Sequence, residues 1–314
     1  MTIEEQIASL DDCLVEILNQ YDLGAYKTES ISHEFNSTFK VTDVSGEKFA
    51  LRINVNSTRS LANLNGEIAW VDSIQSVTVP KPQSTRAGKF VANGWHDATG
   101  RTLNAVLYSW LDGEELGDEP RAEQLFALGA TMAKLNLESV HFETPEGALL
   151  PDYSDVFWGA PDLLTSDSST LTELEKKLIS KLMAEVSRVL KELADSAAPR
   201  PIHADLHPWN SMWHKGQIAV FDFDDSGLGL PIQDLATALY YLDTDEQRAA
   251  LVEGYQSAAQ LPEHTSEQLQ VLLLQRRVLL LNYLYETTNP EHIELIPEYQ
   301  AETFRRLASW LSPN

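Results

Sequence analysis

Ile3, Ile7, Leu10, Leu14, Ile17 and Leu18 recur at three- and four-residue intervals, so the chain is expected to open with an amphipathic helix ending near Gly24. The period then changes. "STFKVTDVSGEKFALRINV" alternates apolar and polar positions around "DVSGEK", which predicts a hairpin turning near Ser45 and Gly46. Helical spacing returns through "LANLNGEIAWVDSI". Strands are expected in "GKFVANG" and in "RTLNAVLYSWLDG", the latter leaving into a turn at Asp112 and Gly113. From about residue 120 the pattern is helical. "RAEQLFALGATMAKLNLE" and "TLTELEKKLISKLMAEVSRVLKEL" carry apolar stripes, and the second opens on a capping-box pattern at Thr170 and Glu173. Helices resume after residue 232. Between them lies one β-rich island, "RPIHADLHPWNSMWHKGQIAVFDFDD", whose "QIAVFDF" is a short apolar run of the buried-strand kind. The pattern predicts an α+β chain of two lobes: residues 1–108 small and sheet-containing, residues 109–314 larger and mainly helical.

Charge narrows the partners. Acidic residues outnumber basic ones 47 to 23, a formal net charge of −24, which repels nucleic-acid backbones and anionic membranes and favours a cationic or zwitterionic ligand. The greasiest late stretch, "QVLLLQRRVLLLNYLY", is broken by Arg276 and Arg277 and is too short to span a bilayer. The single cysteine, Cys13, excludes an intrachain disulfide and a Cys-rich zinc site. "MTIEEQIASLDD" has neither the basic nor the apolar region of a signal peptide, so a cytoplasmic location is expected.

The polar island admits three readings. His203, Asp205 and His207 alternate, so on an extended segment they would face one way, as metal ligands of a hydrolase do, with His214, Asp222 and Asp224 as further candidates. Alternatively, Asp and Asn satisfy turn backbone groups and do nothing more. That reading strains at "FDFDD", which sets carboxylates in or at the end of a buried run, where they need a partner or a cation. Phosphoryl transfer supplies a common cause. It needs a carboxylate to orient or deprotonate the attacking hydroxyl and hard oxygen ligands for Mg²⁺. Asp205 is then the base, with Asn210 and Asp222 as metal ligands.

"HADLHPWN" followed by "VFDFDDSGLGLPIQDLA" resembles the catalytic and metal-binding segments of the aminoglycoside phosphotransferase and choline kinase family, which has a protein-kinase-like fold and includes homoserine kinases and a bacterial stress-response kinase. Every element of that pattern is met except that Ala204 replaces the usual glycine. The resemblance implies ATP and Mg²⁺ as cofactors and an aspartate, here Asp234, that braces the catalytic loop. It also implies that Arg52, in "KFALRIN" and on the same strand face as Ala50, stands where a phosphate-binding lysine is usual, with Glu67 as the helix glutamate that holds it. An ordinary surface ion pair is the alternative for these two. No glycine-rich loop precedes the hairpin. Asn36, Ser37 and Thr38 occupy its place and could offer short side chains and backbone N–H groups to phosphates, or form a plain turn. Tyr108, Ser109, Trp110 and Leu111 resemble the linker that meets the adenine edge.

Only about a dozen residues separate Asp222 from the helix expected near Asp234, too few for a long, phosphorylatable activation segment. The expected acceptor is therefore a hydroxyl on a small molecule bearing an amine, such as an amino alcohol, amino acid or amino sugar. His207, Asp224 and Asp225 are candidates to face it. A stress-response protein kinase and a nucleotide-binding protein without transferase activity are the alternatives.

Overall fold

In the computed structural model, which describes residues 3–33, 35–57, 59–287 and 289–312 and leaves the side chain of Ile3 outside the described set, the opening apolar stripe folds as two helices. These are α1 (Ile3–Ala8) and α2 (Asp11–Leu18). The break has a local cause: Ser9 Oγ donates to the Gln6 carbonyl at 2.6 Å, and the Leu10 N–H turns back three residues to Ile7 at 3.0 Å. Cys13, Leu14, Ile17 and Leu18 of α2 are buried in one core with Phe39, Val41, Leu51, Ile53, Leu103 and Leu107.

Those last six residues come from an antiparallel sheet. Its strands are β1 (Tyr26–His33), β2 (Ser37–Asp43), β3 (Lys48–Ile53), β4 (Val91–His96) and β5 (Arg101–Ser109), in the order β1-β2-β3-β5-β4. The β2–β3 hairpin turns where the sequence predicts. The Asp43 carboxylate accepts the N–H groups of Ser45 and Glu47 at 2.8 and 2.9 Å, and Gly46 takes the left-handed φ of +87° that the turn requires. Helix α3 (Leu61–Ser73) starts on a reciprocal cap between Ser60 and Asn63.

The chain divides into two compact units: one running through Gly113 and taking in Glu143–Leu149, the other Glu114–Phe142 with Leu150 onward. The returning segment 143–149 lies against α3. Leu149 donates to the Ala62 carbonyl at 2.9 Å, and a Cβ at Gly66 would sit 2.2 Å from the Leu149 oxygen, so only glycine admits it.

The second unit is mainly helical. It comprises β6 (Glu114–Glu115), α4 (Ala122–Glu138), α5 (Glu173–Ser196), β7 (Arg200–Ile202), β8 (Ser211–His214), β9 (Gln217–Val220), β10 (Gly227–Gly229), α6 (Pro231–Tyr240), α7 (Asp245–Ala258), α8 (Ser266–Glu286) and α9 (Pro290–Leu311). Helix α5 is capped by Thr172 with Glu175, two residues beyond the expected Thr170 and Glu173. Both pairs fit the pattern; the later start leaves the buried Leu171 outside the first turn. The expected island strand is also shorter than "QIAVFDF": β9 ends at Val220. Among the described residues no helix is long and apolar enough to cross a membrane.

Candidate active site

The ribbon of β7 and β10 launches the loop that carries the polar island. At its start Ala204 adopts φ +66°, the left-handed region that a Cβ disfavours. The turn is held from α6: the buried carboxylate of Asp234 accepts the backbone N–H of Ala204 at 2.7 Å and of His203 at 3.3 Å. Burial pushes the Asp234 carboxyl up to about 7, while the two backbone donors pull the other way. His203 is fully buried. Its Nδ1 accepts the Asp205 N–H at 3.3 Å, so Nε2 carries the proton and donates to the Phe221 carbonyl at 2.9 Å. Burial holds that imidazole neutral, lowering it to about 4. With both ring nitrogens committed, His203 is a loop brace. His203 is thereby removed from the alternating metal-ligand set expected of a hydrolase, and among the described residues no three His, Cys, Asp or Glu side chains cluster as a metal site.

Asp205 is the centre of the arrangement. Asn210 Nδ2 donates to its Oδ2 and to its backbone oxygen, both at 2.9 Å. His207 Nδ1 accepts the Trp209 N–H at 3.2 Å, which leaves Nε2–H to face Asp205 Oδ2 at 3.3 Å. Arg276 donates to Oδ1. Burial opposes ionisation of Asp205, but the Arg276 charge and the His207 hydrogen bond outweigh it and take the carboxyl down to about 2. The side chain is nevertheless 20% exposed, enough to reach an acceptor.

Asp222 lies two residues past β9, exposed, at φ +63° and ψ +64°. The hairpin of β8 and β9 brings it to the same loop, because the N–H of Phe221 donates to the Asn210 carbonyl at 3.2 Å while its oxygen accepts from His203. Left-handed geometry in a non-glycine residue is strain of the sort concentrated at functional sites. Asn210 commits its amide nitrogen to Asp205, so the hard oxygens this loop and the end of the hairpin offer are Asn210 Oδ1 and the Asp222 carboxylate. Such a donor set fits Mg²⁺, which takes one or two protein oxygens and completes its shell with phosphate and water. Asp224 is half-buried and Asp225 exposed in the short turn that follows.

In the first unit, Arg52 on β3 and Glu67 on α3 form an ion pair of 2.6 Å whose side chains are only 9% and 6% exposed, so the surface-pair alternative is corrected. The Tyr108 hydroxyl donates to the other Glu67 oxygen at 2.9 Å, and its ring lies 5.7 Å from the Arg52 guanidinium carbon. Ala50 is half-buried one pleat away on β3. Asn36 Oδ1 accepts from Asn54 at 2.9 Å; Ser37 is fully buried with its hydroxyl 2.6 Å from His33 Nδ1; Thr38 is half-buried on β2. Ser109 exchanges two 2.8 Å hydrogen bonds with Lys81, and Trp110 and Leu111 follow half-buried, Trp110 beneath the Lys40 ammonium at 5.6 Å.

Residues 28–269 match the profile of the phosphotransferase enzyme family. The chain belongs to that family. A curated relative, the amicoumacin kinase of Bacillus subtilis (strain 168), is 25% identical over 199 residues, which span 62% of this chain but only 57% of the relative. Among solved structures, an amicoumacin kinase in complex with AMP-PNP, Ca²⁺ and its amicoumacin ligand is 19% identical with a TM-score of 0.76, covering 98% of this chain and 96% of that one. A microcompartment-associated aminopropanol kinase is 22% identical with a TM-score of 0.78, covering 98% and 97%. A thermostable aminoglycoside phosphotransferase bound to AMP-PNP and hygromycin B is 16% identical with a TM-score of 0.61, covering 94% and 98%. The fold is the protein-kinase-like one these phosphotransferases share, with an antiparallel sheet in the N-terminal unit and a helical C-terminal part.

One feature of this candidate site has no signal in the island. Arg276, on α8, is 71 positions beyond Asp205 yet contacts it, and Tyr241, just past α6, accepts from the same guanidinium at 2.9 Å and packs its ring, tilted by 35°, against His207 at 4.1 Å. The ring of Trp158, a residue at φ +55°, lies 5.9 Å from the Arg276 guanidinium carbon. The sequence offers only an arginine pair interrupting an apolar helix.

Proposed function

We propose that this phosphotransferase transfers the terminal phosphate of Mg·ATP to a hydroxyl of a small, amine-bearing molecule. The observation that carries the reading is the joined pair Asp205–Asn210 with Asp222 brought to the same loop. Asp205 orients the acceptor hydroxyl and receives its proton as the new O–P bond forms. The bond to the nucleoside diphosphate breaks with its electron pair on the leaving oxygen. Magnesium, when bound through Asn210 Oδ1 and the Asp222 carboxylate, neutralises charge on the phosphate oxygens. Arg52, fixed by Glu67 and Tyr108, supplies a permanent cation for phosphates, a role that guanidinium fills with two donors at once. His203, Asp234 and the bent backbone at Ala204 hold the loop in place for this task.

Two features support a small acceptor carrying an amine. Residues 223–230 alone separate Asp222 from α6, leaving no room for the long segment with which protein kinases hold a peptide. The acids Asp224 and Asp225 and the formal charge of −24 favour an ammonium group, and one relative is a kinase of an amino alcohol. The test is ADP release by purified protein with Mg·ATP across amino alcohols, aminoglycosides and protein substrates. Transfer to amine-bearing alcohols is expected. Transfer to protein alone, or none to any acceptor, would overturn the reading.

A further inference from the structure

Two adjacent arginines of α8 diverge by one helical step and meet different fates. Arg277 is satisfied by neutral oxygens: Nε donates to Thr303 Oγ1 at 3.0 Å, Nη1 to the Tyr240 hydroxyl at 3.2 Å and Nη2 to the Tyr299 carbonyl at 3.2 Å, with the Tyr299 ring 4.2 Å from its guanidinium carbon. That set ties α8 to α6 and α9. Arg276 sends its buried guanidinium into the island instead. Its Nη2 reaches Asp205 Oδ1 and the Tyr241 hydroxyl, the rings of Tyr241 and Trp158 lie 5.5 and 5.9 Å from the guanidinium carbon, and its Nε is buried without an acceptor among the described residues. An arginine recruited only to fill space would not leave a buried donor unused, because that costs free energy. What its position secures is the aspartate.

A carboxylate offers about four acceptor directions. Asn210 and His207 approach Oδ2, and Arg276 takes one side of Oδ1. One direction on Oδ1 remains for a hydroxyl. Without Arg276 the carboxylate would be restrained about its broad, nearly two-fold torsion only through Asn210 and His207 on Oδ2, and no group would fix the direction of Oδ1. We propose that Arg276 is a positioning residue for phosphoryl transfer: from α8 it locks the Asp205 carboxylate so that Oδ1 presents a single open acceptor site to the substrate hydroxyl. The role rests on the reading of Asp205 as the group that receives the acceptor's proton. Tyr241 holds the guanidinium from behind, and Arg277 fixes the helix that delivers it.

The test is steady-state ADP release from Mg·ATP with aminopropanol and hygromycin B as probe acceptors, on folded wild-type, Arg276→Met, Arg276→Lys, Arg276→Ala and Asp205→Asn proteins. Arg276→Met should lower kcat about 10²-fold, the effect of a small misplacement of a reacting group, while KM for Mg·ATP stays within about two-fold. Arg276→Lys should recover part of the loss, and methylguanidinium should raise turnover by Arg276→Ala but not by wild type. Should Arg276→Met not fold, Tyr241→Phe, which keeps the ring and removes the hydroxyl, should lower kcat without moving KM. Wild-type kcat in a folded Arg276→Met protein, or losses matched by the fraction unfolded and insensitive to methylguanidinium, would overturn the positioning role. Full turnover by Asp205→Asn, or no turnover by wild type, would instead overturn the underlying reading.

Discussion

Asp234 accepts the backbone N–H of Ala204 at 2.7 Å while Ala204 sits at φ +66°, a conformation its methyl group disfavours. Glycine would adopt this turn without penalty, and this chain manages without it because the Asp234 brace over-determines the turn. Ala204→Gly would relieve about 1–2 kcal/mol of backbone strain. It would also lose about 0.8 kcal/mol of methyl burial and add unfolded-chain entropy of about 0.5–1 kcal/mol. The net change in stability should lie within about 1 kcal/mol of zero. Ala204→Val, β-branched at positive φ, should destabilise by about 2 kcal/mol or more, read from urea midpoints.

The same brace gives stability a pH dependence. Asp234 is raised above its unfolded value to about 7, so the native state binds the extra proton. Its contribution is complete below the ordinary carboxyl range and is lost as pH rises through 7, where the native protein must ionise a buried group that is already ionised when unfolded. Urea unfolding between pH 5 and 8 should show wild type losing stability relative to Asp234→Asn. A difference that stays constant or grows with pH would contradict this assignment.

Arg52 and Glu67 are both buried, so removing one leaves the other uncompensated. Arg52→Ala should destabilise by about 3 kcal/mol or more in thermal or denaturant unfolding. It should also raise KM for Mg·ATP. An unchanged KM in folded protein would make the pair purely structural.

Asp205→Asn should reduce kcat by about 10²–10⁴-fold, the usual worth of a positioned acid or base, while Mg·ATP still shifts the melting temperature. Asp222→Ala should abolish that Mg-dependent shift. Reversal of the two outcomes would exchange the roles of the residues.

Gly66 faces the Leu149 carbonyl so closely that an added methyl would stand 2.2 Å from it. Gly66→Ala should therefore destabilise by about 1–3 kcal/mol and expose segment 143–149 to proteolysis.

The fold was readable wherever one face of an element is buried. Phe39, Val41, Leu51 and Ile53 gave the hairpin, and Ile179, Leu182, Val186, Val189 and Leu193 gave α5. Strand β1 left no trace because it lies at the sheet edge with six of its eight residues exposed, so neither face imposes alternation. Nor could spacing announce the return of segment 143–149 to the first unit, which depends on one missing Cβ. At the candidate site, the proposed trio Asp205, Asn210 and Asp222 could be read from the sequence because the loop and its hairpin are local in sequence. Arg276 was not, since its pairing with Asp205 is set by how α8 packs. Ser37, a candidate either for phosphates or for a plain turn, is fully buried with its hydroxyl against His33 Nδ1, because β2 points it inward.

The central claim concerns Asp205, Asn210 and Asp222 acting together, and its most direct test is a crystal structure with AMP-PNP and Mn²⁺ in place of Mg²⁺. The account predicts an anomalous peak about 2.1 Å from both Asn210 Oδ1 and an Asp222 oxygen, with an Asp205 oxygen open towards the nucleotide's terminal phosphate. A metal held by other side chains, or an Asp222 carboxylate turned away from Asn210, would contradict it.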